Sequence, residues 1–118
     1  MATQLAQTLL MDTVTLPGDS AAHQLLDLLA TASLSIAGTF SCLDTFLYSA
    51  DANLVARCSV GSTNNVTDSA RFGFQIQGGQ VNNFPIRTVN MPAGAGIWLF
   101  SNSGSSTVIG VNIFAAPY

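Results

Sequence analysis

The sequence predicts an all-β fold, an antiparallel β-sandwich of jelly-roll-like type with one short helix near the N-terminus. Three observations point there. From Ser33 onward the apolar residues recur with a period of two, which marks strands that bury one face. The segments between these runs, GSTNN, GGQVNN and SNSGSS, are turn chemistry at short, regular spacing. Hydrophobic residues make up 48% of the chain and charged residues only 8%, a balance that supplies a core and argues against disorder. A chain of 118 residues can bury enough surface to fold without a disulfide or a metal, so residues 1–118 are read as a single sandwich domain. Residues 1–32 contribute a strand and the short helix, a segment that could also act as a docking arm.

Taken in order, the first strand is the β-branched run Thr13-Val14-Thr15-Leu16, ended by Pro17-Gly18. Asp19 or Ser20 then caps a helix over 20–30, in which Leu25, Leu26, Leu28 and Leu29 form a broad apolar face. In SLSIAG, Leu34 and Ile36 face one way and Ser33 and Ser35 the other. In NLVARCSV, Leu54, Ala56, Cys58 and Val60 alternate with Val55, Arg57 and Ser59. The cleanest case is RFGFQIQGG, where Phe72, Phe74 and Ile76 oppose Arg71, Gly73, Gln75 and Gln77. Further strands are expected at about 84–89, 96–102 and 107–114. In the last, Ile109, Val111 and Ile113 line one face and are expected to share the core with Phe72, Phe74 and Ile76.

Charge narrows the partners. Lysine and glutamate are absent, and the formal charge is -3 with Arg57, Arg71 and Arg87 as the cations. Nucleic acid requires several phosphate contacts from Lys or Arg, and anionic lipid a comparable cluster, so neither is an expected partner. The apolar stretch around Leu9 to Leu16 is broken by Asp12 and is far too short to cross a membrane. Met1 to Gln7 has no basic side chain ahead of an apolar run, so no signal peptide is expected and synthesis in a cytoplasm is. In that compartment Cys42 and Cys58 are expected as free thiols that pack like small core residues. Asn65-Val66-Thr67 matches a glycosylation sequon, which is idle without secretion. A surface this poor in charge suits a protein packed against neighbours better than a freely diffusing monomer.

The chemistry-bearing residues do not assemble into a motif. His23, with Asp27 four residues on, fits an exposed helix pair, and no nucleophile-elbow sequence offers it a serine. The six carboxylates, all Asp, are spread along the chain, mostly in expected turns and caps. His23, Cys42 and Cys58 lack zinc-site spacing, and Asp44 and Asp51 lack that of a calcium loop. Gly78-Gly79 is read as a tight turn between strands, not a phosphate loop. The expectation is a protein that is not an enzyme and takes no cofactor and no metal.

One stretch stands apart. Ile97-Trp98-Leu99-Phe100 is apolar on both sides of a strand, so one pair faces the core and the other pair needs a cover. Trp98 and Phe100 could stack on sugar rings, but core or subunit interface is the simpler reading for such aromatics. The cover would be another chain, or a loop folded back from the same one. Trp98 and Phe100 are thus the candidate oligomer or partner interface, and a homo-oligomer, a trimer above all, is expected.

Two stretches together carry a resemblance. VARCSVGSTNNVTDSARFGFQIQGGQVNNFPIR runs strand, Val-Gly turn, polar loop, strand with an internal Gly, Gly-Gly turn and an extended Pro-containing segment. IWLFSNSGSSTVIGVNIF continues with an aromatic strand, a Ser/Gly hairpin and a Val/Ile strand. This layout, over about 55–114, resembles the small jelly-roll proteins of tailed bacteriophage virions, especially capsid decoration (cement) proteins and head-fibre modules. The N-terminal helix departs from it. The resemblance implies a structural virion protein that assembles as a trimer and binds the major capsid protein, or another virion protein, across subunit joints. The alternative is a carbohydrate- or receptor-binding module of a phage fibre or spike. Residence in the virion is implied in either case.

Overall fold

The computed structural model describes residues 7–36, 38–49, 55–61, 65–68, 73–77 and 86–115. Its elements run β1 (Gln7–Leu16), β2 (His23–Gln24), α1 (Leu25–Thr31), β3 (Thr39–Phe40), β4 (Leu43–Ser49), β5 (Val55–Val60), a 3₁₀ turn (Asn65–Thr67), β6 (Phe74–Gln77), β7 (Ile86–Thr88), β8 (Met91–Pro92), β9 (Ile97–Phe100) and β10 (Thr107–Ala115). Two four-stranded antiparallel sheets have the orders β1-β10-β4-β7 and β2-β9-β5-β6, and β3 pairs with β8 as a small ribbon. Leaving the ribbon aside, the eight remaining strands pair first with last, second with seventh, third with sixth and fourth with fifth. That nested pairing, rolled into two sheets, is the strand order of a jelly roll.

The sheets bury their inner faces against each other. Val14, Leu47, Ile109 and Val111 of one sheet share a core with Ala56, Cys58, Ile76, Ile97 and Leu99 of the other. Ile113 belongs to the same core, so Ile76, Ile109, Val111 and Ile113 meet as expected, with Phe74 half-buried beside them. Phe72 lies outside the described residues, as do Asp51, Leu54, Arg71, the Gly78-Gly79 turn and residues 84–85 of an expected strand.

The helix is shorter than the expected 20–30. His23 and Gln24 pair with Leu99 and Trp98 of β9, and that ladder holds them extended, so α1 starts only at Leu25. Gln24 occupies the N-cap without a side-chain cap bond, and neither Asp19 nor Ser20 takes that role. The helix closes in a Schellman turn, with Leu34 N–H on the Leu29 carbonyl at 2.8 Å and Ser33 N–H on Ala30 at 3.0 Å. Residues 34–36 then form no strand, although Leu34 and Ile36 pack on the core while Ser33 and Ser35 are exposed, which is the alternation the sequence shows.

Two elements exceed what the pattern predicts. β1 begins six residues earlier than Thr13, running past a register shift between Thr8 and Leu10 along β10. β4 has no counterpart among the expected strands. Its inward positions are Leu43, Thr45, Leu47 and Ser49, and its outward ones include Phe46 and Tyr48, so polar residues point in and aromatics point out. Period-two reading fails on such a strand.

Candidate functional site

The residues with chemical potential lie apart from one another. His23 Nε2 sits 2.9 Å from Asp19 Oδ1, not beside Asp27. The expected His23–Asp27 pair presumed one continuous helix, and His23 is instead in a strand. The hydrogen bond with His23 holds the Asp19 carboxyl below its usual range. Cys42 and Cys58 are both buried and free. Burial pushes the Cys58 thiol up to about 12, which keeps it protonated and a poor nucleophile. Among the described residues no three His, Cys, Asp or Glu side chains are placed to hold a metal ion. A groove of about 360 Å³ opens beside α1 between Leu26, Ile36 and Ala93, and among its described lining residues Asp27 is the one ionisable group, too few for an acid–base pair.

The outer faces of the two sheets differ sharply. On β9, Ile97 and Leu99 are fully buried in the core, so Trp98 and Phe100 do point outward. Phe100 is nonetheless covered by its own chain, and Trp98 in part. Phe100 is only 7% exposed, with the Arg57 guanidinium 4.9 Å above its ring. The Trp98 indole N–H donates to the Gly61 carbonyl at 3.3 Å, and Gly61 N–H donates to Gly96 at 2.8 Å, which pins the end of β5 alongside. The 3₁₀ turn packs on β5 and β9, and its Val66 is fully buried outside the main core. Phe100 is thus covered within one protomer, with Arg57 over its ring, while Trp98 stays half-buried.

The β1-β10-β4-β7 sheet has no such cover among the described residues. Met11 on β1 is 69% exposed, Val108 on β10 46% and Tyr48 on β4 37%. Phe46 and Phe114, half-buried, meet edge to face with ring centroids 6.0 Å apart. Gly110 faces Tyr48 in the ladder, and a Cβ there would strike the Tyr48 ring, so the missing side chain is what lets the ring lie across β10. At one margin Arg87 grips Asp44 with two hydrogen bonds, Nε at 2.8 Å and Nη2 at 2.9 Å, and the carboxylate raises the guanidinium pKa further. Asn112 stands between Met11 and Phe46 across the strands.

Trp98 and Phe100, the candidates from the sequence, lie on the outer face of the β2-β9-β5-β6 sheet, and Met11, Phe46, Tyr48 and Val108 of the other outer face were not among the candidates. The available signal was the aromatic pair in LDTFLYS, two residues apart on one side of a strand. No known protein family matches the chain, and neither a curated protein nor a solved structure matches it.

Proposed function

We propose that this chain is a structural virion protein of the capsid-decoration type, and that it docks on a protein lattice through the outer face of its β1-β10-β4-β7 sheet. One observation carries the reading: a chain with three arginines and no lysine leaves Met11, Tyr48 and Val108 in solvent on a single sheet face. Large apolar side chains left exposed together on one face are a feature of interaction surfaces. The jelly-roll order supports it, since virion proteins commonly use that fold. The partner is the major capsid protein or another virion protein, and the resemblance implies a trimer. The role is non-catalytic, needs no cofactor, and is exercised in the virion after synthesis in the host cytoplasm. No helix among the described residues is long and apolar enough to cross a membrane. The test is co-sedimentation with shells assembled from a tailed-bacteriophage major capsid protein. Wild type should bind stoichiometrically, and Tyr48→Asp combined with Val108→Asp should not bind while keeping its circular dichroism. Wild type left in the supernatant would remove the reading.

A second reading has its own observation. Tyr48 lies across Gly110 with Asn112 and the Asp44–Arg87 pair on the same face, an aromatic platform edged by polar groups. That arrangement suits a sugar ring, as in a carbohydrate-binding fibre module. A glycan array with a signal abolished by Tyr48→Ala would favour it over the capsid reading.

A further inference from the structure

We infer that β1 carries a self-pairing edge, through which two copies of this chain join antiparallel about a two-fold axis at Thr13. The edges of the sandwich are unequal. Among the described residues the outermost strands are β7 with three residues, β2 with two and β6 with four, but β1 has ten. Short edge strands resist strand addition; long ones need a charge, a proline or a bulge to block it. β1, QTLLMDTVTL, has no proline and no cation, its register shift lies at its far end, and its one charge is Asp12.

Hydrogen-bond direction shows which groups the edge offers. Thr13 N–H donates to the Asp12 carboxylate at 2.8 Å, so it points away from β10 toward the open side. Strand alternation then turns the N–H and C=O groups of Met11 and Thr15 the same way. These three side chains are exposed and all lie on the bare outer face.

The register follows from charge and regularity. A two-fold perpendicular to the sheet must match residues of the same face. Centred on Asp12, it would oppose two carboxylates and use the groups that already bond β10. Centred on Met11, it would run into the irregular stretch at Leu9. Centred on Thr13, it pairs Thr13 with Thr13 of the partner subunit, Met11 with the partner's Thr15, and Asp12 with the partner's Val14. Asp12 gives up Thr13 N–H, which passes to the partner's backbone. A strand bearing one carboxylate and no cation fits an equally neutral strand, and β1 itself supplies one with an uncharged residue opposite Asp12. The pairing sets the two bare sheet faces side by side in one eight-stranded sheet and covers part of Met11. It stands without the capsid reading, and it competes with the trimer that the resemblance implies.

Cross-linking reads the register directly. Across a hydrogen-bonded antiparallel pair the Cα atoms are about 5.5 Å apart, within disulfide range, whereas Thr15 and Thr15 of the partner subunit would be separated by roughly 13 Å along the strands. Oxidised Thr13→Cys should run as a covalent dimer and Thr15→Cys as a monomer, while Met11→Cys combined with Thr15→Cys should cross-link. The native Cys42 and Cys58 are buried and form a silent background. In sedimentation the wild type should be a dimer, and Thr13→Lys should weaken it by roughly tenfold through like charges placed opposite each other. Without any variant, amide exchange at Met11 and Thr15 should slow as protein concentration rises. A wild type that sediments as monomer or trimer, or Thr15→Cys cross-linking as readily as Thr13→Cys, would overturn the two-fold.

Discussion

The two sheets present their outer faces to the same solvent and handle it differently. On the β2-β9-β5-β6 side the outward residues Ser59 and Phe100 are buried, Arg57 lies over the Phe100 ring, Trp98 is bonded to the Gly61 carbonyl, and the turn that carries Val66 packs on β5 and β9. On the β1-β10-β4-β7 side Met11, Tyr48 and Val108 stay exposed, and the outward ion pair Arg87–Asp44 sits at the margin. Large apolar side chains on the outside of a strand therefore do not by themselves mark an interface. Phe100 finds its cover within one protomer, whereas the side chains left bare on the other face are candidates for contact. Covering also has a cost: Ser59 Oγ is buried without a hydrogen-bond partner among the described residues.

The largest effect that would break this contrast is at the covered ring. Phe100→Ala should cost about 3 kcal/mol in urea unfolding, as for a buried Phe, against less than about 1 kcal/mol for Tyr48→Ala on the bare face. Equal losses would mean that the two faces do not differ.

The covered sheet also contributes an alkaline limit. Burial holds the folded Cys58 thiol protonated up to about 12, while a solvated thiol ionises from about 8.5. Between those values the unfolded state binds fewer protons, so stability should fall as pH rises, by at most about 1.4 kcal/mol per pH unit. Urea midpoints at stepped pH should show this slope, and Cys58→Ala should flatten it.

Gly110→Ala sharpens the picture of the bare face. The added methyl displaces the Tyr48 ring, which has solvent to move into, so the loss should be about 1 kcal/mol and should nearly vanish in a Tyr48→Ala background. Additive losses would show that Tyr48 does not lie over Gly110. The smallest expected effect on folding is Met11→Asp, within about 0.5 kcal/mol of wild type, yet it should lower binding to capsid shells. A large unfolding effect there would mean that Met11 is covered.

The pattern of the chain was legible where one face is apolar and the other polar. Phe74 and Ile76 against Gln75, and Ile109, Val111 and Ile113 against Asn112, identify their inward faces correctly. It was illegible on β4, where Thr45 and Ser49 point inward while Phe46 and Tyr48 point out. It also misplaced the helix start, because the ladder of His23 and Gln24 to β9 is a contact with residues far along the chain.

The amino-acid sequence by itself determined an all-β sandwich with a short helix, since alternation, turn residues and scarce charge are local properties that each strand carries alone. Only the tertiary structure decided which outer face is covered. That depends on where the segment after β5 returns and on which residues Arg57 and Gly61 reach, and no local period encodes a contact between segments distant in the chain. The same holds for the long edge that β1 presents among the described residues: the sequence shows a strand, but its place at the margin of a sheet is set by the nested pairing of all the others.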